Sequence, residues 1–360
     1  MTKLAMIFSC LATLTLISML TVEFAWSQFQ DIPTVSTRNH FDVLTGEAIV
    51  SDSIYNLVDN NGELSECPSE VVLYIHGVWV GENSLEKPSE VFDRLKLSLQ
   101  INNYTYPLIG YTWDSDTDIS FEGWNTAKKI AAKNGEILAI FIDNYKQQCP
   151  QTEIRIIAHS LGARVALEAL EFHNNGTLQN SDNSTILSIH LVGAAVDDEE
   201  VSTNSDDAND DNLISSPSFD PSVKSIYGNA IETQVTSFYN LYNLEDDVLE
   251  PDAECLLTIC QPVYYPKYEG DFALGQSGAQ PDITLPNNYR QMDVADEISF
   301  NTDANGDGNC DLINPFEFDG CTIYRKGDNH FGYIGFRANE MELIDDGVIS
   351  KIVDDWTATQ

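Results

Sequence analysis

Residues 154–164 read Ile-Arg-Ile-Ile-Ala-His-Ser-Leu-Gly-Ala-Arg. Glu153 to Ala158 has the length and β-branched content of a buried strand, and Leu161 to Phe172 has the apolar spacing of a helix. Between them Ala158, Ser160 and Gly162 make a small-x-Ser-x-Gly pattern. A serine at so sharp a strand-to-helix turn sits in strained backbone geometry, and small residues two before and two after it let neighbouring backbone pass close by. Its hydroxyl then stands above the sheet, at the positive end of the following helix. The bare pattern also fits an ordinary turn with an incidental serine. The flanking strand and helix are what point to a nucleophile at Ser160.

Upstream, Val71 to Ile75 is a short apolar run ending in His76-Gly77-Val78. It reads as a second buried strand. In an architecture with such an elbow, the loop after this strand gives one backbone N–H to an oxyanion hole, here assigned to Val78, and the residue after the nucleophile, Leu161, gives the other. Two such donors contribute several kcal/mol to a developing oxyanion. His76, at the strand end, is expected to be structural.

The same pattern extends outward. Strands are expected at Tyr106–Trp113, Ile186–Val196 and Gln234–Tyr242, with helices at Pro88–Leu99 and Trp124–Tyr145 and a closing helix at Ala338–Trp356. Strands alternating with helices predict an α/β fold whose mostly parallel sheet is covered on both faces. Residues 203–222 read as an acidic surface loop. Residues 250–320 have little periodicity and are too long for a plain connector, so they read as an insertion or cap near the active face.

A serine nucleophile needs a base. The chain has six histidines. His159 is expected to point away at the tight elbow, His173 ends a helix and His190 lies within a strand. With the order serine, acid, histidine, only His330 lies beyond every candidate acid. Its stretch is Lys326-Gly-Asp-Asn-His330-Phe-Gly-Tyr, after a short strand expected at Cys321–Arg325. For the acid, Asp246, Asp247 and Asp197 remain open, in that order.

Together these residues resemble the α/β-hydrolase superfamily, and more narrowly its little-characterised secreted lipase/esterase-like branch. That branch combines an HG-x strand end (His76-Gly77), a strand ending in Trp-x-Ser (Trp113-Asp-Ser115), an HSxG-x-R elbow (His159 to Arg164) and an N-x-x-D-x-V-L turn (Asn243 to Leu249). The elbow here has Ala158 where Gly is more usual. The last pattern favours Asp246 over Asp247. The resemblance spans about residues 70–250 and the His330 region; residues 250–320 match nothing in it. It implies that the strands at 71–75 and 153–158 are neighbours. Cys67 and Cys149 each precede their strand by the same interval, so the fold implies a Cys67–Cys149 disulfide at the sheet end opposite the active site.

The chain has 360 residues, is 42% hydrophobic and carries a formal charge of −39. That hydrophobic content excludes a disordered chain. The acidity excludes phosphate-directed nucleic-acid binding and disfavours anionic membrane surfaces. Residues 1–27 read as an export signal: Lys3, the apolar stretch Leu4 to Val22, then Ala25-Trp-Ser27. An uncleaved anchor is the alternative, and only then would a membrane be a partner. Residues 28–360 are expected to form one secreted or extracytoplasmic domain. In that compartment Cys255 with Cys260, and Cys310 with Cys321, are expected as local disulfides.

Asp303, Asn305, Asp307, Asn309 and Asp311, with Gly308 at the sixth position, have calcium-loop spacing, except that position 12 is Asn314. Calcium is expected there in a structural role, and no cofactor is expected for catalysis. The function expected is a secreted serine esterase or lipase acting on a small-molecule or lipid ester or thioester. An amidase or peptidase variant, or a non-catalytic calcium-stabilised surface binding protein on the same scaffold, are the alternatives.

Overall fold

The computed structural model describes residues 32–49, 53–81, 87–176, 186–209, 226–246, 248–249, 253–256, 259–262, 271–298, 312–314, 317–318, 328–335 and 347–358. In chain order, β1 (Thr34–Ser36) and β2 (Asn56–Val58) precede β3 (Glu70–Ile75), α1 (Pro88–Ile101), β4 (Leu108–Thr112), α2 (Phe121–Gln148), β5 (Glu153–His159), α3 (Gly162–Asn174), β6 (Ile186–Val192), α4 (Gly228–Gln234) and β7 (Val235–Tyr242). The hairpin β8 (Ala253–Leu256) and β9 (Ile259–Pro262), α5 (Leu274–Ser277), β10 (Tyr289–Asp293), the pair β11 (Leu312–Asn314) and β12 (Glu317–Phe318), α6 (Asp328–Phe331) and α7 (Ile349–Ala358) follow.

Eight strands form one sheet in the order β10-β7-β6-β5-β3-β4-β1-β2. All neighbours are parallel except the edge strand β2, which runs antiparallel to β1. Side chains alternate across a strand, so a strand covered on both faces must be apolar at every position. β3 shows this from Val71 to Ile75, its first residue Glu70 being buried in an ion pair with Arg155 of β5: Val71, Leu73 and Ile75 join the core under α2 and α3 with Ile130, Leu138 and Val165. Val72 and Tyr74 face the other layer, with Phe92 and Leu95 of α1 and Ile352 and Trp356 of α7. The parallel arrangement brings the carboxyl ends of β3, β5, β6 and β7 to one rim.

At the opposite rim Cys67 and Cys149 are disulfide-bonded, with Cα atoms 5.2 Å apart. They lie just before β3 and β5, which pair from Glu70 and Glu153 onward. Cys255 and Cys260 are register partners in the backbone of the β8–β9 hairpin. Cys310 and Cys321 lie outside the described residues, as do residues 1–27, the strand expected at 321–325 and the calcium-loop residues Asp303, Asn305, Asp307, Asn309 and Asp311.

Several expected bounds differ or lie partly outside the described residues. β6 stops at Val192, not Val196, because Gly193 takes a φ of 54° and turns the chain off the sheet. Of the closing helix expected at Ala338–Trp356, residues 338–346 lie outside the described residues, and the helix is seen from Ile349 after a turn at 347–348. Within 250–320, Tyr289–Asp293 is an edge strand paired with β7, not part of a cap. Its mostly exposed polar residues carry no apolar pattern to betray it. In the acidic loop, Ser205–Asn209 form a 3-10 turn, and 210–225 lie outside the described residues. Among the described residues no helix is long and apolar enough to cross a membrane.

Candidate active site

Ser160 lies at the β5–α3 junction with a φ of 54°. This left-handed geometry costs a non-glycine residue about 1–2 kcal/mol, so the surroundings must impose it. They do so through backbone. The Ser160 amide donates to the Val192 carbonyl at 3.1 Å, and its carbonyl accepts from Ala163 at 3.0 Å and Ala195 at 3.1 Å. A Cβ on Gly162 would stand 2.6 Å from the Ile75 carbonyl oxygen and 2.7 Å from that of His76. Any side chain at 162 would push α3 off the end of β3.

The loop after β3 presses on Ser160 from the other side. A Cβ on Gly77 would meet Ser160 Cβ at 2.7 Å and Oγ at 3.2 Å. Val78 therefore follows directly beside the elbow, and Leu161 follows Ser160. Among the described residues, neither amide donates to a backbone carbonyl. The loop is braced by the Trp113-Asp-Ser115 stretch. The Ser115 carbonyl accepts the Trp79 amide at 2.8 Å and its hydroxyl donates to the Val80 carbonyl at 2.7 Å. Asp114 accepts the amides of Asn39, His40 and Phe41 at 2.8–2.9 Å. His76 is fully buried, donates from Nδ1 to the Gly77 carbonyl at 2.8 Å, and accepts from Thr112 Oγ1 at 3.0 Å. Burial, then the charge of Arg38, push its pKa well below the usual histidine range. It is a neutral brace of this loop.

The third wall holds the candidate acid. Asp246 is fully buried in the turn after β7. Its Oδ1 accepts the amides of Val248 and Leu249, each at 3.1 Å. Its Oδ2 accepts His330 Nδ1–H at 2.7 Å and the Tyr333 hydroxyl at 3.4 Å. Asn243 shapes the turn by accepting the Glu245 amide at 3.0 Å. The Asn-x-x-Asp-x-Val-Leu pattern thus builds a carboxylate with one oxygen capped by backbone and the other aimed at an imidazole. Asp247 lies outside the described residues.

His330 sits in α6, almost fully buried. A Cβ on Gly193 would lie 3.3 Å from its Nδ1 and Cε1, and 2.8 Å from the Tyr333 ring. Ser160 and His330 therefore converge on two consecutive residues of one strand end. Val192 receives the serine amide, and Gly193 lies under the imidazole.

Asp197 is not at this imidazole. Its position after β6 places it, with Glu199 and Asp271, in a buried trio whose carboxylate oxygens all lie within 4.8 Å of one another. Among the described residues this is the one acidic group close enough to share a cation. Burial, then the Asp271 charge, push the neighbouring Asp198 up to about 7. Arg164, the final residue of the elbow pattern, forms a buried ion pair with Glu200 at 2.9 Å, tying α3 to this loop.

His159, expected only to point away at the elbow, contacts the segment that carries His330. Its Nε2 lies 2.8 Å from the His330 carbonyl oxygen. Burial, then the His330 charge, push its pKa down to about 3. Nothing local in the sequence signals a contact between residues so far apart.

The strand order, the left-handed Ser160 between β5 and α3, and the buried Asp246 after β7 are the arrangement of the α/β-hydrolase fold. Residues 60–223 match the sequence model of a family described as alpha/beta hydrolase of unknown function, DUF900. No curated protein matches the chain. Solved structures similar to it include the catalytic core of an acetyl xylan esterase from Trichoderma reesei (15% identity, 48% of this chain and 82% of that one, TM-score 0.29). A lipase-esterase related protein from Clostridium acetobutylicum is also similar (13%, 62% and 85%, TM-score 0.27). So is a Trichoderma reesei cutinase, of which the chain spans about half (20%, 36% and 53%, TM-score 0.22).

Proposed function

We propose that the protein is a serine hydrolase that cleaves a carboxylic ester or thioester through an acyl-enzyme. The observation that carries this reading is the buried Asp246–His330 hydrogen bond at 2.7 Å, built beside the strand end that also holds Ser160. Ser160 Oγ attacks the carbonyl carbon while His330 Nε2 takes the hydroxyl proton. Asp246 keeps the proton on Nδ1 and stabilises the imidazolium. The Val78 and Leu161 amides bind the oxyanion. His330 then returns the proton to the departing alcohol or thiol, and water releases the acyl group by the same steps in reverse.

The leader read in residues 1–27 supports an extracytoplasmic enzyme. Calcium at 303–311 belongs to the same proposal as a structural ion, and chelation is expected to lower the melting temperature. The test of the activity is labelling with a fluorophosphonate, followed by hydrolysis of nitrophenyl esters of graded chain length. Labelling of the wild type and none of Ser160→Ala is expected. A folded wild type that neither labels nor hydrolyses any ester is the result expected of a binding protein and would end the proposal.

A further inference from the structure

His159 closes β5 in register with Val192 of β6 and is almost fully buried. Its ring faces the segment that carries the base, with its centroid 4.7 Å from that of His330 and 5.7 Å from that of Phe331. A carbonyl oxygen only accepts, so the 2.8 Å contact to the His330 carbonyl fixes a proton on His159 Nε2. The titratable and charged groups around it are His330 and Tyr333 on the base segment, His76 and Tyr74 of the β3 strand and its end, and Arg94 of α1, which lines the same cavity. Burial first, and the His330 charge second, hold it neutral.

Besides the packing of its ring on Gly193, the other hydrogen bonds of the base segment run elsewhere. The His330 ring, the Asn329 amide and the Tyr333 hydroxyl reach Asp246, the Glu245 carbonyl and the Gly275 carbonyl. Those contacts fix the base to the acid's turn and to α5. The His159 bond fixes it to the strand whose next residue is the nucleophile. One hydrogen bond and one peptide unit thus link base and nucleophile.

We propose that His159 is a positioning residue that, through its Nε2–H···O=C bond to His330, sets where the base stands relative to Ser160. This rests on the serine-hydrolase reading above. A misplacement of about 1 Å is enough to cost roughly 100-fold in rate, because proton transfer needs near-ideal geometry. The residue touches no reacting atom, so its loss acts on kcat and leaves KM alone.

The test uses the full chain as wild type, Ser160→Ala, His159→Phe and His159→Gln. Phe fills the space without a donor, whereas the Gln side-chain amide stands near the place of Nε2–H. His159→Phe is expected to lower both kcat on a short nitrophenyl ester and the rate of fluorophosphonate labelling by roughly 10- to 100-fold. KM is expected to change less than about twofold, and His159→Gln to recover most of the loss. Wild-type and Phe rates within twofold of each other, in variants shown folded by near-ultraviolet circular dichroism, would overturn the proposal. So would a Gln variant as slow as Phe.

A second readout needs no activity. Imidazole nitrogen NMR of the wild type is expected to show His159 as the Nε2–H tautomer, unchanged from pH 5 to 8. An Nδ1–H tautomer, or titration in that range, would overturn the proposal by itself. A wild type that fails to label while His159 holds the expected tautomer would instead sink the hydrolase reading, and with it the catalytic role given to the bond.

Discussion

Residues 153–164 and residues 328–335 meet at the end of β6, but they are held there by different forces. The first segment is a strand and a helix locked by backbone approach: Gly162 lies against the Ile75 and His76 carbonyls, and Ser160 pairs with the main chain of Val192 and Ala195. The second is a four-residue helix and a 3-10 turn that reach the site through side chains, Asp246, His159 and the Tyr333 hydroxyl, while the end away from the site pairs by backbone, from the Val348 amide to the Tyr333 carbonyl at 2.9 Å. Packed backbone tolerates almost no substitution. A cluster of hydrogen bonds loses geometry one bond at a time. The nucleophile side should therefore fail by unfolding, and the base side by slowing.

The sharpest way to break this contrast is Asp246→Asn. Asn cannot accept at both oxygen positions and favours the wrong imidazole tautomer, so kcat should fall about 10³- to 10⁴-fold. The fold should survive, as read by an unchanged urea midpoint. Comparable activity would move the acid to another carboxylate.

Next comes the Cys67–Cys149 bond, remote from the site. Replacing both with Ser should cost roughly 3–4 kcal/mol of stability through the long loop it closes. Ester turnover below the melting transition should be unchanged. A drop in kcat at constant folding would show that the two rims are coupled.

Gly162→Ala should cost about 1–3 kcal/mol, since α3 must shift from the Ile75 carbonyl. Calorimetry would read this as a lower melting temperature. A neutral Ala at 162 would refute the backbone-packing account of the elbow.

The smallest effect is in pH dependence. The His159 pKa is depressed to about 3 when folded, against about 6.5 unfolded. Between these values the unfolded chain binds a proton that the native state does not, so stability is lost as pH falls from 6.5 toward 3. Asp198, raised to about 7, works in the opposite sense from about pH 4 to 7, losing stability as pH rises. Comparing wild type with His159→Gln isolates the first slope, at most about 1.4 kcal/mol per pH unit. Urea denaturation at pH 4.5, 5.5 and 6.5 would measure it.

The contrast also explains what could be read in the sequence. Ala158 to Gly162, His76-Gly77 and Asn243 to Leu249 are local patterns, because a turn of given geometry needs given residues at fixed spacing. The neighbouring β3 and β5 made the Cys67–Cys149 bond legible as well. The edge strand β10 was not, because its exposed, polar residues follow no core period. The fate of Asp197, drawn to Glu199 and Asp271, and the bond from His159 to His330 were equally hidden. Both are contacts between chain-distant residues whose types are common and whose spacing obeys no rule. The family match over residues 60–223 likewise covers the elbow but neither Asp246 nor His330.

The most direct measurement is mass spectrometry of the intact protein after reaction with a fluorophosphonate, with peptide mapping of the adduct. A single adduct on Ser160, formed at least about 10³-fold more slowly when His330 is replaced by Ala, is the outcome required if these two side chains work as one unit. An adduct on any other residue, or labelling of Ser160 at an undiminished rate in His330→Ala, would contradict it.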